Sequence, residues 1–118
     1  MDEHSAADRQ RITEALHALH VELTEMISNL AGAAETVELD QGQQGRLSRI
    51  DAMQSQKMAE AQIRRARVRR ERVENILAQA DDPDFGCCGD CGDLIPMPRL
   101  MARPDSVLCV ECSDARRG

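Results

Sequence analysis

"RITEALHALHVELTEMISNLAGAAETV" occupies residues 11–37. Apolar residues fall at Ile12, Leu16, Leu19, Leu23, Met26, Leu30, Ala33 and Val37, in alternating steps of four and three. That alternation is a heptad seam, and it predicts a coiled-coil helix with polar flanks. Asp8, or Ser5 slightly earlier, supplies a cap for its start. A helix of this kind needs a partner to cover the seam. The following stretch, "ELDQGQQGR" at 38–46, holds Gly42 and Gly45 among amides, so the helix is expected to end near Asp40 and the chain to reverse.

Residues 47–80 contain neither Gly nor Pro and are rich in Ala, Arg, Gln, Glu and Met. This composition favours a second helix, of about 50 Å at 1.5 Å per residue. Its seam is Ala59, Ile63, Ala66, Val73 and Leu77, with Arg70 filling the gap, and Leu47, Ile50 and Met53 form an apolar patch near the turn. The stretch "DDPDFG" at 81–86 stops the helix at Pro83. Two long helices with a short connection lie antiparallel, which places Arg64 to Arg72 beside residues 13–22.

The composition agrees. Of 118 residues, the only aromatic is Phe85, and charged residues make up 31 %. A core without aromatic area suits narrow helical seams better than a globular interior. The formal net charge is −6 but unevenly placed: −7 over residues 1–40, +5 over 41–80 and −4 over 81–118. An acidic chain is a poor non-specific DNA ligand, so no direct DNA binding is expected. The basic block "RRARVRRER" at 64–72 is read first as pairing with the acidic first helix. There is no secretory start and no apolar run of membrane length, so a cytoplasmic protein with reduced thiols is expected.

All five cysteines lie in "FGCCGDCGDLIPMPRLMARPDSVLCVEC", residues 85–112. Cys88 and Cys91 have C-x2-C spacing, Cys109 and Cys112 repeat it, and seventeen residues separate the pairs. Two such knuckles offer four thiolates in a tetrahedron, the donor set of one structural zinc. Gly89 and Gly92 suit the tight turn of the first knuckle. Four protein ligands close the site and leave no position for a catalytic water. Cys87 is the surplus thiol. It either follows the knuckle as a small side chain or stands as a redox-responsive thiol beside the sulfurs. His17 and His20 lack a third ligand, and the Met residues are read as packing. No phosphate loop, dinucleotide fingerprint or activated nucleophile is present in the sequence, so no enzyme activity is expected.

The expected fold class is therefore mainly α: a long antiparallel coiled-coil helical hairpin, then a small C4 zinc-finger module with a short C-terminal helix. The hairpin takes residues 1–80, with its tip at about 38–51, and the finger and tail take 81–118.

Phe85-Gly86, Cys88-x2-Cys91-Gly92, Ile95, Arg99-Leu100, Ala102, Pro104 and Cys109-x2-Cys112 closely resemble the C-terminal zinc finger of the DksA/TraR family of bacterial transcription regulators. The upstream hairpin resembles that family's architecture too, and the chain looks like a short member. Cys87 departs from the family pattern. The resemblance implies a non-catalytic regulator that binds RNA polymerase, as a monomer, with the hairpin tip entering the secondary channel. It implies action with guanosine tetraphosphate (ppGpp) at particular promoters. The family's tip motif, Asp-x-x-Asp-x-Ala, maps imperfectly: Asp51 fits the second acid, Ser48 replaces the first, Ala52 sits one place early, and Asp40 is a further acid nearby. The family's nucleotide site maps to the zone of Arg65, Arg69 and Arg72 on the second helix, with Ser113 where a base is usual and Arg116 and Arg117 close by. Ion pairing with Glu14, Glu22, Glu71 and Glu74 is the plainer use of those arginines. The alternative reading is a zinc-ribbon nucleic-acid-binding or adaptor protein.

Overall fold

The computed structural model describes residues 3–40 and 46–117, with side chains over 3–32 and 49–117. Four helices follow in order: α1 (Ala6–Asp40), α2 (Arg46–Ala78), α3 (Met97–Ala102) and α4 (Val110–Arg117). Among the described residues there is no strand beyond an isolated antiparallel bridge between Cys87 and Leu94. No helix among them is long and apolar enough to cross a membrane. The expected turn at residues 41–45 lies outside the described residues.

Ser5 caps α1: its hydroxyl accepts the amide of Asp8 at 3.0 Å, the bond an N-cap makes to an otherwise orphaned donor. The buried residues of α1 are Ile12, Leu16, Leu19, Leu23 and Ile27. The seam begins as the heptad reading predicts and then departs from it. Met26 is 42 % exposed, whereas Ile27 is 9 % exposed. From Leu23 the seam takes a step of four, because a straight helix drifts by about 20° per heptad against a 3.5-residue repeat. On α2, Ala66 and Val73 are buried, and Ala59, Ile63, Arg70 and Leu77 are half-buried, as the seam requires. Ile50 and Met53 are exposed.

The chain packs as two compact units, Met1–His20 with Arg72–Gly118, and Val21–Glu71. Both α1 and α2 contribute to each. Within the second unit α1 and α2 run antiparallel. Leu23, Met26 and Leu30 line one hollow with Gln62, Arg65, Ala66 and Arg69, and Arg70 Nη1 donates to Thr24 Oγ1 at 3.3 Å. Arg65, Arg69 and Arg70 thus lie beside residues 23–30 of α1 rather than 13–22. Ala66, whose side chain is a single methyl, lines the same hollow, so the register itself, not arginine reach, is shifted toward higher numbers on α1.

Within the first unit the helices are antiparallel as well. His20 Nε2 donates to Glu74 Oε2 at 3.1 Å, and Arg9 Nη2 donates to the carbonyls of Ala80 at 2.8 Å and Asp82 at 2.6 Å. The last contacts fall on the turns after α2. It ends at Ala78, five residues before Pro83, and closes through tight turns such as Ala80 N to Leu77 O at 3.2 Å. Arg9 thereby ties the start of α1 to the turns that follow α2. Its guanidinium also lies 5.5 Å from the centroid of Phe85, a cation–π contact that uses the chain's single aromatic ring.

The finger has its own small core of Phe85, Cys88, Ile95 and Leu100. Pro96 and Pro98 open α3, where a missing amide costs nothing. Arg99 Nε donates to the carbonyl of Leu108 at 3.0 Å and ties α3 to the chain entering the second knuckle.

Candidate metal centre and basic hollow

The first knuckle is a short loop closed by backbone bonds. Cys88 N donates to Asp93 O at 2.8 Å, Gly92 N to Cys88 O at 3.0 Å, and Ile95 N to Gly86 O at 2.9 Å. Two glycines carry it through positive φ, Gly86 at 82° and Gly92 at 80°. The sequence reading named Gly92 but paired it with Gly89, which does not have positive φ. Gly89 serves otherwise: its amide donates to Val107 O at 2.8 Å and joins the first knuckle to the approach of the second.

Gly86 is also a contact point. His4, buried at 8 % exposure, donates from Nε2 to the Gly86 carbonyl at 3.0 Å. A Cβ on Gly86 would collide with His4 Cδ2 and lie 2.9 Å from its Nε2. Gly86→Ala is therefore expected to combine left-handed strain with a collision and to cost more than about 1 kcal/mol, read as a lower denaturant midpoint. No sequence pattern singles out His4, since the partner is a backbone carbonyl eighty-two residues away.

The second knuckle is a helix start. Cys109 stands before α4, and its Sγ accepts the amide of Cys112 at 3.4 Å while its carbonyl accepts Ser113 N at 2.9 Å. Sulfur takes the place of an N-cap oxygen, at the helix end that favours negative charge. In the first knuckle, Asp90 N donates to Cys88 Sγ at 3.4 Å.

The four sulfurs of Cys88, Cys91, Cys109 and Cys112 all lie within 4.8 Å of one another. Cys91 Sγ and Cys109 Sγ are 3.8 Å apart. Zinc–sulfur bonds of about 2.3 Å at tetrahedral angles require sulfur separations of about 3.8 Å, so the donor set fits zinc. The protein takes one structural zinc. Burial pushes the Cys88 thiol up, but amides of Cys91, Cys109 and Asp90 outweigh it and lower its pKa to about 6. Cys91 is raised against the amide of Asp93, chiefly by sharing a proton with Cys88, and Cys112 is raised by Cys109 and Cys88. Crowded thiols share protons in this way until a divalent cation displaces them. Cys87 is not among the four. It is half-buried and lines a separate hollow of about 230 Å3 with Asp82, Asp84, Phe85 and Ser106.

A second feature is built by the finger together with Arg72 of α2, in the same unit. Arg72, Arg99, Arg103 and Arg117 line a hollow of about 180 Å3 with Asp105 and Ser113. Arg72 Nη1 donates to Asp105 Oδ2 at 3.4 Å, and that carboxylate side chain is only 2 % exposed. Of the three arginines singled out on α2, only Arg72 lines this hollow. Arg65 and Arg69 line the hollow of about 400 Å3 in the other unit. Arg99 and Arg103 were missed because they sit within the finger's own motif, where spacing says nothing of the direction they face. Asp51 is exposed and Ala52 half-buried on α2. Ser48 falls on α2 and Asp40 ends α1, with side chains outside the described set.

Residues 83–116 match the family described as the prokaryotic dksA/traR C4-type zinc finger. The RNA polymerase-binding transcription factors DksA of Escherichia coli K12 and Salmonella typhimurium are 43 % identical over 42 residues, which is 36 % of this chain and 28 % of theirs. The match spans less than a third of the length of these curated relatives. The structure of transcription factor DksA2 from Pseudomonas aeruginosa superposes with a TM-score of 0.80 over 96 % of this chain and 85 % of that one, at 18 % identity, and so shares the fold.

Proposed function

We propose that this chain is a member of the DksA/TraR zinc-finger family that binds bacterial RNA polymerase and regulates transcription without catalysing a reaction. The observation that carries the reading is the C4 finger, matched over residues 83–116 and joined to a DksA-like fold. The relatives that share the finger are named for polymerase binding. In this reading residues 1–80 form the hairpin and 81–118 the finger, with Cys88, Cys91, Cys109 and Cys112 as the four zinc ligands. The hairpin enters the secondary channel, and Asp51 with Ala52, flanked by Ser48 and Asp40, meets the polymerase. The zinc supplies structure and no chemistry, because four thiolates leave no open position. The protein acts as a monomer in the cytoplasm, where its partner is.

Guanosine tetraphosphate is the proposed co-regulator. The basic hollow supports it, because forked guanidinium groups suit phosphate oxygens. At about 180 Å3 the hollow is smaller than the roughly 300–1,000 Å3 of a complete small-molecule site. It is the size for a phosphate group, with the rest of the nucleotide resting on the polymerase. Arg65 and Arg69 then serve polymerase contact rather than the nucleotide.

The test is binding to bacterial RNA polymerase by calorimetry, with and without a secondary-channel competitor. Competition is expected, and Asp51→Asn should bind nearly as tightly while losing most of its effect on a regulated promoter in vitro. Folded, zinc-loaded protein that fails to bind polymerase would overturn the reading, as would a salt-sensitive shift of DNA by the protein alone.

A further inference from the structure

Asp90 and Arg116 make a contact that the four-cysteine pattern does not require. Arg116 Nε donates to Asp90 Oδ2 at 2.8 Å, and Arg116 Nη2 donates to Asp90 Oδ1 at 2.6 Å. These are two parallel charge-assisted bonds, the forked geometry that fixes both groups in orientation as well as distance. Asp90 lies inside the first knuckle, between Cys88 and Cys91, and its own amide donates to Cys88 Sγ. Arg116 lies in the last turn of α4, whose first turn carries Cys112 and whose sulfur cap is Cys109. One side-chain bridge therefore closes a ring through both cysteine pairs. The ring runs from Cys88 to Asp90, across the fork to Arg116, and back along α4 to Cys112 and Cys109.

We infer that Arg116 is a positioning residue for the zinc centre: its fork on Asp90 locks the first knuckle to α4 and slows release of the metal. The inference rests on zinc occupying the four-sulfur site. Two physical effects act together. The first is orientation. With Asp90 held by its carboxylate, its amide stays directed at Cys88 Sγ, and hydrogen bonds of this outer kind tune metal ligands. The second is charge. Four thiolates around one divalent ion carry a net charge of about −2, and a guanidinium nearby offsets part of it. The raised pKa of Arg116, due first to its hydrogen bond with Asp90 and in smaller part to the charges of Cys112 and Cys88, agrees with that placement.

The Arg116 side chain is 65 % exposed and that of Asp90 34 %, and exposed ion pairs generally add little to folding stability. The fork acts on metal release rather than on global stability. Release requires the two knuckles to part, and the fork is a direct tie between them.

The experiment measures zinc transfer from the full-length protein to excess 4-(2-pyridylazo)resorcinol, followed by absorbance. Arg116→Ala is expected to speed release on the order of tenfold, within the range for outer-sphere partners of metal ligands. Arg116→Lys keeps the charge but loses the fork, and should fall between the two. Asp90→Ala should match Arg116→Ala, and the double variant should be no faster than either single one. Thermal melting of the long helices, followed by circular dichroism, should not change. Wild-type release rates in both Arg116 variants, or additive effects in the double variant, would overturn the clamp. Metal-free wild-type protein would overturn the zinc assignment and the clamp with it.

Discussion

Removal of zinc is expected to unfold the finger while most helical signal from α1 and α2 persists. The finger's core is four residues, Phe85, Cys88, Ile95 and Leu100, one of which is itself a zinc-site cysteine. A module of this size cannot offset its conformational entropy by apolar burial, and small metal modules are commonly folded only when loaded. Apparent zinc-binding free energies in finger peptides are about 10–16 kcal/mol, more than so small a core supplies. Chelation, or Cys88→Ser, should therefore abolish exchange protection at the amides of Cys88, Gly89, Gly92 and Ile95, all of which are bonded to backbone carbonyls in the folded module. Loading at neutral pH should release protons, because the raised Cys91 and Cys112 thiols must ionise to bind metal. Metal analysis should return about one zinc per chain. Persistent amide protection in metal-free protein would show that the fold does not depend on the ion.

The two halves of the site differ in how far the sequence reveals them. C-x2-C spacing is a geometric constraint, since a tight turn two residues long places both sulfurs on one side. The pairs at 88/91 and 109/112 were therefore legible, and the structure brings all four sulfurs together. The basic hollow was only partly legible. Arg72 stood out within an arginine-rich block, and Ser113 and Arg117 by their place after the last cysteine, but Arg99 and Arg103 sit on α3 and the loop after it. Only the folded finger gathers them. His4 and Arg9 were not legible at all, because each binds backbone carbonyls distant in sequence, and backbone acceptors leave no trace in residue identity. The helices were legible from period and composition. The end of α2 was not, since Pro83 marked a limit beyond which helix was barred, while the tight turns that follow Ala78 ended it sooner.

Truncating the α1 seam should separate its two possible continuations by a large margin. Leu16 has no measurable exposure, so Leu16→Ala removes a fully buried side chain and should cost about 2–5 kcal/mol. It sets the scale for the other two variants. A strict heptad puts Met26 in the seam, and then Met26→Ala would cost a similar amount. The structure puts Ile27 there instead, at 9 % exposure against 42 % for Met26. Ile27→Ala should therefore fall near the Leu16→Ala value, and Met26→Ala should stay below about 1 kcal/mol, as expected for a half-solvated side chain. Urea melts followed by circular dichroism read all three, with transition midpoints compared at constant slope. Reversal of the order at 26 and 27 would restore the heptad and rotate the second half of α1. The distinction bears on function, because helix rotation decides which side chains of the second unit face solvent. Arg65 and Arg69 flank the hollow that Leu23, Met26 and Leu30 form with α2. A seam through Met26 would change the wall that these arginines share with α1.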